Sequence, residues 1–298
     1  MKIFLQQGRY VLAISGGVDS MVLLDLIIKQ YAKLASYNFV VAHFDHGIRT
    51  DSKLDRLLVQ KVSKNYKLDF FYKKAHLPNN SSEELARKAR YQFLESIKYK
   101  TNSDYIVTAH HQDDLVETVI FNLIRGTGRK GLSPLMNQPG LVRPMLNYTK
   151  QQIRHYGLIH HLTWREDSTN LNLNYSRNYI RHKIIPLLNQ NQIDWLVNLI
   201  YSQGKLNLEI DQLLLSLLTN NQSNIIDKRF LNSLPFSLAC EFIASWLREN
   251  NLRNFNKKAI LRIYRSSKVL QNGKKINVNG NFFVVVEKNY LRLIDLDS

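Results

Sequence analysis

Ser15-Gly16-Gly17-Val18-Asp19-Ser20 is the stretch on which the fold turns. It follows a short apolar run, Arg9–Ile14, carrying Tyr10, Val11, Leu12 and Ile14. It opens a segment, Asp19–Leu34, with Val22, Leu23, Leu26 and Ile27 at helical spacing. A strand therefore runs through a glycine turn into a helix. Two glycines let backbone N–H groups approach an anion closely. Ser15 and Ser20 add hydroxyl donors, and the helix start adds the positive end of a dipole. A phosphate group is expected there. A plain strand-to-helix turn would not need two serines and an aspartate at these spacings. The loop lacks the lysine of a Walker A motif, which excludes a P-loop NTPase.

Outward from this loop, strands and helices alternate. Phe39–Phe44 and Asp69–Lys73 read as further strands, with Asp104–Ala109 as the fourth. Ser52–Tyr66, Ser82–Ile97 and Asp113–Arg125 read as helices, the second opened by Ser81 or Ser82 with Glu83 or Glu84 as capping partner. Such alternation implies an α/β fold, a Rossmann-like parallel sheet with helices on both faces. Gly126–Pro144 is rich in glycine and proline and reads as a functional loop. Helices follow at Lys150–His161 and Tyr175–Leu188, then a long connecting helix at Asp194–Leu218. Beyond Asn220 a smaller α+β unit is expected. It holds helices near Phe236–Glu249 and Lys257–Ser266, then a hairpin of Lys275–Val278 and Phe282–Glu287 turning at Asn279-Gly280. The expected domains are 1–188, a helical linker at 189–219, and 220–298.

Composition narrows the function. The 298 residues carry 41 Lys+Arg against 24 Asp+Glu, a net charge of +17, which points to a polyanionic partner. A lysine-rich and asparagine-rich lineage would give the same balance. The charge is spread along the chain, so a polyanion would lie across folded surface. No apolar run approaches a membrane span, and Met1–Arg9 reads as neither a signal nor a transit peptide. The one cysteine, Cys240, sits in an apolar stretch and reads as a buried, inert thiol. It permits no intrachain disulfide, CxxC pair or cysteine-rich zinc site.

Further segments carry charge where strands end. Ala42-His43-Phe44-Asp45-His46-Gly47-Ile48-Arg49 closes the second strand. By residue type His43, Asp45 and His46 would suit a metal, but no further ligand set supports zinc, and a nucleotide site is the better reading. Arg87 and Arg90 lie about one turn apart in Glu84-Leu85-Ala86-Arg87-Lys88-Ala89-Arg90-Tyr91. They suit phosphates, although taken alone a solvated basic helix face is the better reading. Thr108-Ala109-His110-His111-Gln112-Asp113-Asp114-Leu115-Val116-Glu117-Thr118 closes the fourth strand. Asp114 and Glu117 share a helix face, where two carboxylates suit either magnesium or a lysine ammonium. Asp113 also fits as an acid at the helix start. The GxGxxG string in Arg125–Gly131 follows a helix rather than a strand, so the dinucleotide reading fails. Arg177 and Arg181 lie four apart, with His182 and Lys183 beside them, a stripe suited to an RNA backbone.

Taken in order, these segments resemble the N-type ATP pyrophosphatases, and within them the lysidine synthases. Ser-Gly-Gly-x-Asp-Ser is similar to the pyrophosphatase loop. The segments at 42–49, 84–91 and 108–118 resemble AxHxDHxxR, ExxARxxRY and TAHxxDDxxET. Those at 125–131, 143–146, 164–170 and 177–181 resemble RGxGxxG, RPLL, WxxDxSN and RNxIR. The resemblance covers roughly residues 9–190 and implies an adenine nucleotide alpha hydrolase-like fold. It implies an ATP-dependent ligase joining free lysine to the wobble cytidine of an isoleucine tRNA with a CAU anticodon, in the cytoplasm, with room for a homodimer. ATP would lie on Ser15, Gly16, Gly17, Val18, Asp19 and Ser20, with His43, Arg87 and Arg125. Mg²⁺ would sit at Asp19 and Asp114, and tRNA at Arg90, Arg177 and Arg181. One of Asp45, His110, Asp114 and Glu117 would hold or deprotonate the lysine amine, with Asp19 serving catalysis at the phosphates. A tRNA thiolase on the same scaffold needs more cysteine than one. GMP and NAD synthetases fit the motifs after the loop less well.

Overall fold

The inner strands of the first half are apolar on both faces, because each is covered twice. The computed structural model describes residues 1–47, 52–75, 83–136, 139–166, 176–218, 224–252, 255–269 and 272–296. Its first sheet holds β1 (Gly8–Ala13), β2 (Tyr37–Asp45), β3 (Asp69–Lys74), β4 (Tyr105–Val107) and β5 (Leu141–Val142). The order is β3-β2-β1-β4-β5, with every neighbouring pair parallel. Side chains alternate across it. Tyr10, Leu12, Phe39 and Val41 face one way, onto α1 (Val18–Tyr31), Val59 of α2 (Ser52–Asn65) and Ile153 of α5 (Lys150–Ile159). Val11, Val40, Ala42, Phe44 and Ile106 face the other, onto Phe93, Leu94 and Ile97 of α3 (Glu83–Lys100). α4 (Gln112–Ile124) packs Leu115 and Val119 against Ile200.

Strand order reverses between β1 and β4. Chain from β1 proceeds to β2 and β3 on one side, whereas β4 and β5 lie on the other. The loops leaving two adjacent strands then part in opposite directions and open a crevice at the carboxyl ends. Ser15–Ser20 leaves β1 there, and His110-His111 leaves β4.

Three expectations need correction. The loop at 126–144 contains the two-residue strand β5 and a 3-10 turn, Arg129–Leu132. The single helix expected at 175–188 is broken into α6 (Ser176–Tyr179), a π turn (Ile180–Ile184) and a 3-10 turn (Ile185–Leu187). Pro186 explains the break, since it has no N–H to donate and its ring crowds the preceding turn. The hairpin near the C-terminus belongs to a four-stranded antiparallel sheet. That sheet joins β6 (Ile225–Asp227), β7 (Lys275–Asn279), β8 (Phe282–Val286) and β9 (Tyr290–Asp295) in the order β6-β9-β8-β7. It packs with α8 (Lys228–Ser233), α9 (Phe236–Glu249) and α10 (Lys257–Ser267) around Phe242, Trp246, Ile263, Val284 and Leu291.

The connecting helix α7 spans Gln190–Leu218, and the chain divides into compact units at Met1–Gly204 and Lys205–Ser298. Cys240 is half-buried rather than buried, and burial pushes its thiol up, with Glu241 adding. No described helix is long and apolar enough to cross a membrane. The expected helix cap at Ser81 or Ser82, Arg49, and Asp167–Asn170 lie outside the described residues.

Gly47 follows β2 with φ +70°, and a Cβ there would stand 2.8 Å from the Ala75 carbonyl oxygen. Gly126 has a similar φ of +72°, but open space around it. Gly126→Ala should cost about 1 kcal/mol from backbone strain alone. Gly47→Ala should cost about 1–2 kcal/mol more, because backbone must move as well. Denaturant unfolding of the two variants checks this; equal losses would show that the neighbouring strand yields freely.

Candidate functional site

The loop after β1 is held by one hydroxyl. Ser20, 3% exposed, accepts hydrogen bonds from the N–H groups of Ser15 (3.2 Å) and Gly16 (3.1 Å) and donates to the Gly17 carbonyl (2.9 Å). Gly16 adopts φ +95°, so a side chain there would be strained, although its Cβ would meet Asp55 and Val59 only in ordinary contact. Gly17 is the N-cap of α1 and supplies no side-chain cap, so the helix opens without one. From outside, Arg165 donates its N–H to the Gly16 carbonyl (3.0 Å), while its guanidinium pairs with buried Asp55 at 2.9 Å. The described part of the Trp164–Asn170 segment thus closes on the loop.

A cavity of about 460 Å³ opens beside it, lined by Ser15, Gly17, Val18, Asp19, His111, Asp113, Asp114, Glu117, Lys150, Arg165, Glu166, Arg181 and Ile185. Asp19 points into it from the first turn of α1. Lys150 Nζ donates to both its carboxylate oxygens, at 2.7 and 2.6 Å. His111 Nε2 lies 3.8 Å from Asp19 Oδ1 and 3.4 Å from Asp114 Oδ2, so the imidazole stands between the two carboxylates. Asp114 Oδ2 also accepts the His111 N–H (3.0 Å), which anchors it at the start of α4. One turn on, Glu117 is 2% exposed. It accepts from Arg181 Nε (2.9 Å) and pairs with Arg181 Nη2 (2.7 Å) and Arg177 Nη1 (3.4 Å). Burial raises the Glu117 carboxyl above its ordinary range, and Asp114 adds to this, against the pull of Arg181 and Arg177.

His43 and Asp45 support this region from beneath rather than facing the cavity. His43 Nδ1 bonds the Ile14 carbonyl at 2.8 Å, and its ring stacks on Tyr72. Burial lowers its pKa, against the Ile14 contact. Asp45 accepts from Gly47 N–H (2.8 Å), Ser52 hydroxyl (2.9 Å) and Tyr72 hydroxyl (3.3 Å). Burial alone would raise its carboxyl, but these bonds and Lys74 hold it below the ordinary value. Both groups bond to local structure, and neither lines this cavity.

A second constellation surrounds His110. Arg87, Arg90 and Arg143 gather about it and about Tyr91, whose ring lies 5.0 Å from the Arg87 guanidinium and 5.3 Å from that of Arg90. Arg143, 8% exposed, donates to the Leu135 carbonyl at 2.7 Å. Burial, then Arg90, Arg143 and Arg87, hold the His110 pKa well below its ordinary value, so the ring is neutral near pH 7. Thr108 Oγ1 lies 2.7 Å from its Nδ1.

Among the residues expected at one site, Ser15, Gly17, Val18, Asp19, Asp114, Glu117 and Arg181 line the cavity together. Arg125 does not. It caps the far end of α4 with its guanidinium over Phe121, about 20 Å of helix from the strand ends. Arg177 and Arg181 were expected to face an RNA backbone, but both turn inward to Glu117, Arg177 also bonding Thr118 Oγ1 (3.2 Å). Sequence reasoning missed Lys150, His111 and Arg165 in the cavity wall. Lys150 carried a signal: it follows Thr149 of a Thr-x-x-Gln capping box, and a cation is disfavoured at a helix start.

Asp19 and Asp114 both line the cavity, with His111 between them. Among the described residues no group of three or more His, Cys, Asp and Glu is arranged around a metal. Magnesium, however, is commonly held by one or two carboxylates together with substrate phosphates. Asp19 already carries a cation, the Lys150 ammonium, on both oxygens.

Residues 2–188 match the family described as "PP-loop domain". A tRNA(Ile)-lysidine synthase of Thermotoga maritima is 36% identical over 194 residues, covering 62% of this chain and 47% of that protein. One from Nostoc is 38% identical over 195 residues, covering 63% and 56%; one from Nitrosomonas europaea is 38% identical over 193 residues, covering 61% and 41%. The chain spans about half the length of the relatives it matches. Among solved structures, the U34-tRNA thiolase NcsA of Methanococcus maripaludis, with its 4Fe-4S cluster, superposes with a TM-score of 0.58 at 16% identity. That match covers 68% of this chain and 73% of that one, and it speaks to the fold alone.

Arg181→Met tests the ion pair at Glu117. Without its nearer guanidinium, the buried carboxyl rises further above its ordinary range. A raised carboxyl costs stability only where it is ionised, so the loss is full above the folded-state pKa and shrinks as pH falls through it. Denaturant unfolding should show a loss of about 2 kcal/mol near pH 8, the value for a broken buried pair discounted for the half-exposed arginine, and clearly less near pH 5. Equal losses at both would mean that Glu117 does not depend on Arg181.

Proposed function

Since this chain belongs to the PP-loop domain family, we propose that it activates a tRNA base with ATP and joins lysine to it. The base is the wobble cytidine of the isoleucine tRNA with a CAU anticodon. The product is lysidine, which changes the codon read from AUG to AUA. What carries this reading is the run of relatives bearing the name tRNA(Ile)-lysidine synthase at 34–38% identity over the segment that holds the loop and the carboxylates. The net charge of +17 is in keeping with an RNA substrate.

ATP lies with its terminal phosphates on the Ser15–Ser20 loop. Ser20 acts there by fixing the loop, leaving backbone N–H groups at the start of α1 for the anion. Asp19 and Asp114 would hold Mg²⁺, which would supply positive charge against the leaving pyrophosphate. The cytosine is turned out of its stack at a cost of a few kcal/mol. Its position-two carbonyl oxygen forms a bond to the α-phosphorus, and the bond to pyrophosphate breaks. The lysine ε-amine then bonds the same carbon, AMP leaves with the oxygen, and the amine gives up a proton. Asp114 and Glu117 on one face of α4 are suited to hold that ammonium. Glu117, its carboxyl raised by burial, is suited to accept a proton.

His43 and Asp45 serve by position. Neutral His110, with Arg87, Arg90 and Arg143 around it, is suited to the base and its phosphates. Residues 1–188 then form the catalytic domain, 189–219 the linker, and 220–298 a tRNA-binding domain. The cytoplasm, which supplies these substrates, is the compartment.

Incubation with ATP, Mg²⁺, radiolabelled lysine and the CAU-anticodon isoleucine tRNA should give acid-precipitable label. Methionine tRNA, which shares the anticodon, should give none. Asp19→Ala should abolish labelling while the protein stays folded. No label on either tRNA, from folded protein that still binds ATP, would sink the lysine-transfer reading.

A further inference from the structure

Lys150 stands at an odd place for a lysine. It is the first residue of α5, where a helix dipole disfavours a cation. Its backbone is pinned twice: Thr149 and Gln152 close a capping box around it, and its own N–H donates to Asp113 Oδ2 at 2.7 Å. The side chain reaches into the cavity wall. There its ammonium sits on both oxygens of Asp19, the loop's own carboxylate, beside Ser15 and Gly17. A structural role would not explain this well. Both side chains are partly exposed, at 43% and 26%, and a pair that wet adds little to stability.

We propose that Lys150 is a triphosphate-binding residue that exchanges partners when nucleotide arrives. Its ammonium neutralises Asp19, so the loop that must receive a polyanion does not present a bare negative charge. With nucleotide bound, the ammonium turns to the β- and γ-phosphate oxygens and releases Asp19 to the metal. The exchange is inexpensive because one charge-assisted contact replaces another within the same cavity. Asp113 has a part as a positioning residue, since it fixes the backbone from which Lys150 reaches. The inference rests on the nucleotide reading of the site and adds the residue that discriminates a triphosphate from a monophosphate.

The test is equilibrium binding of Mg·ATP and of AMP to the full chain, wild type against Lys150→Ala and Lys150→Arg, with thermal unfolding followed in parallel. Lys150→Ala should bind Mg·ATP about tenfold more weakly or worse, and AMP within about twofold of wild type. Lys150→Arg, which keeps the charge, should recover most of the Mg·ATP affinity. Unchanged Mg·ATP binding by Lys150→Ala would overturn the assignment and leave the nucleotide reading standing. Equal loss of ATP and AMP would also overturn it, since a merely structural role predicts that. Failure of the wild type to bind Mg·ATP at all would instead overturn the nucleotide reading, and the assignment with it.

Discussion

The hydroxyl of Ser20 is the contact on which the site depends. Four hydrogen bonds converge on this buried oxygen: two received from N–H groups, one given to a carbonyl and one shared with the Ser15 hydroxyl. Together they fold the chain back on itself within the space of one turn. With the loop's first two N–H groups drawn to Ser20, the free donors are those that open α1. The site thus combines a fixed loop with the open start of a helix, and the rest of the sheet supplies a base on which that geometry stays put. His43, bonded to the Ile14 carbonyl one residue before the loop, braces the same turn from the neighbouring strand.

Charge in the cavity is arranged in two grades of stiffness. Lys150 with Asp19 is a wet pair, and such pairs are exchanged at little cost. Glu117 with Arg181 and Arg177 is a drier pair on the acid side, where removing a partner strands a buried charge. A cation approaching α4 would therefore compete with guanidinium groups already in place, while an anion approaching the loop would meet a partner that yields. Binding at the two ends of one cavity then has different costs, although the groups on view are the same kinds of side chain.

The sheet was legible in the sequence because burial on both faces writes long apolar runs such as Phe39–Phe44, and because Ser-Gly-Gly-x-Asp-Ser has few physical readings. β5 was not, since two residues in a glycine- and proline-rich loop carry no period. β9 shows only Leu291 and Leu293 in alternation, too little to separate from a hairpin's tail. At the site, residues on one element were read well: Asp114 and Glu117 do share a face. Relations between elements were not. Arg181 meets Glu117 across 64 positions of sequence, and Lys150 meets Asp19 across 131. Spacing along one helix says nothing about either. Arg125 failed for the converse reason: helix length carried it away from the strand ends its neighbours point to.

The π turn at Ile180–Ile184 makes the chain's register a functional quantity. A π turn accommodates one residue more than the α-helical turn it interrupts, and each residue of an α-helix advances the chain by about 100° around the axis. Loss of any one residue from this turn would let it relax into regular helix. Arg177 and Arg181 would then no longer be carried in their present relation to the chain that follows, through Pro186. A one-residue deletion here would leave the composition, charge and motif types almost unchanged, and yet swing a guanidinium off the buried carboxylate. Length between Arg177, Arg181 and Pro186 is thus constrained along with the identity of the two arginines.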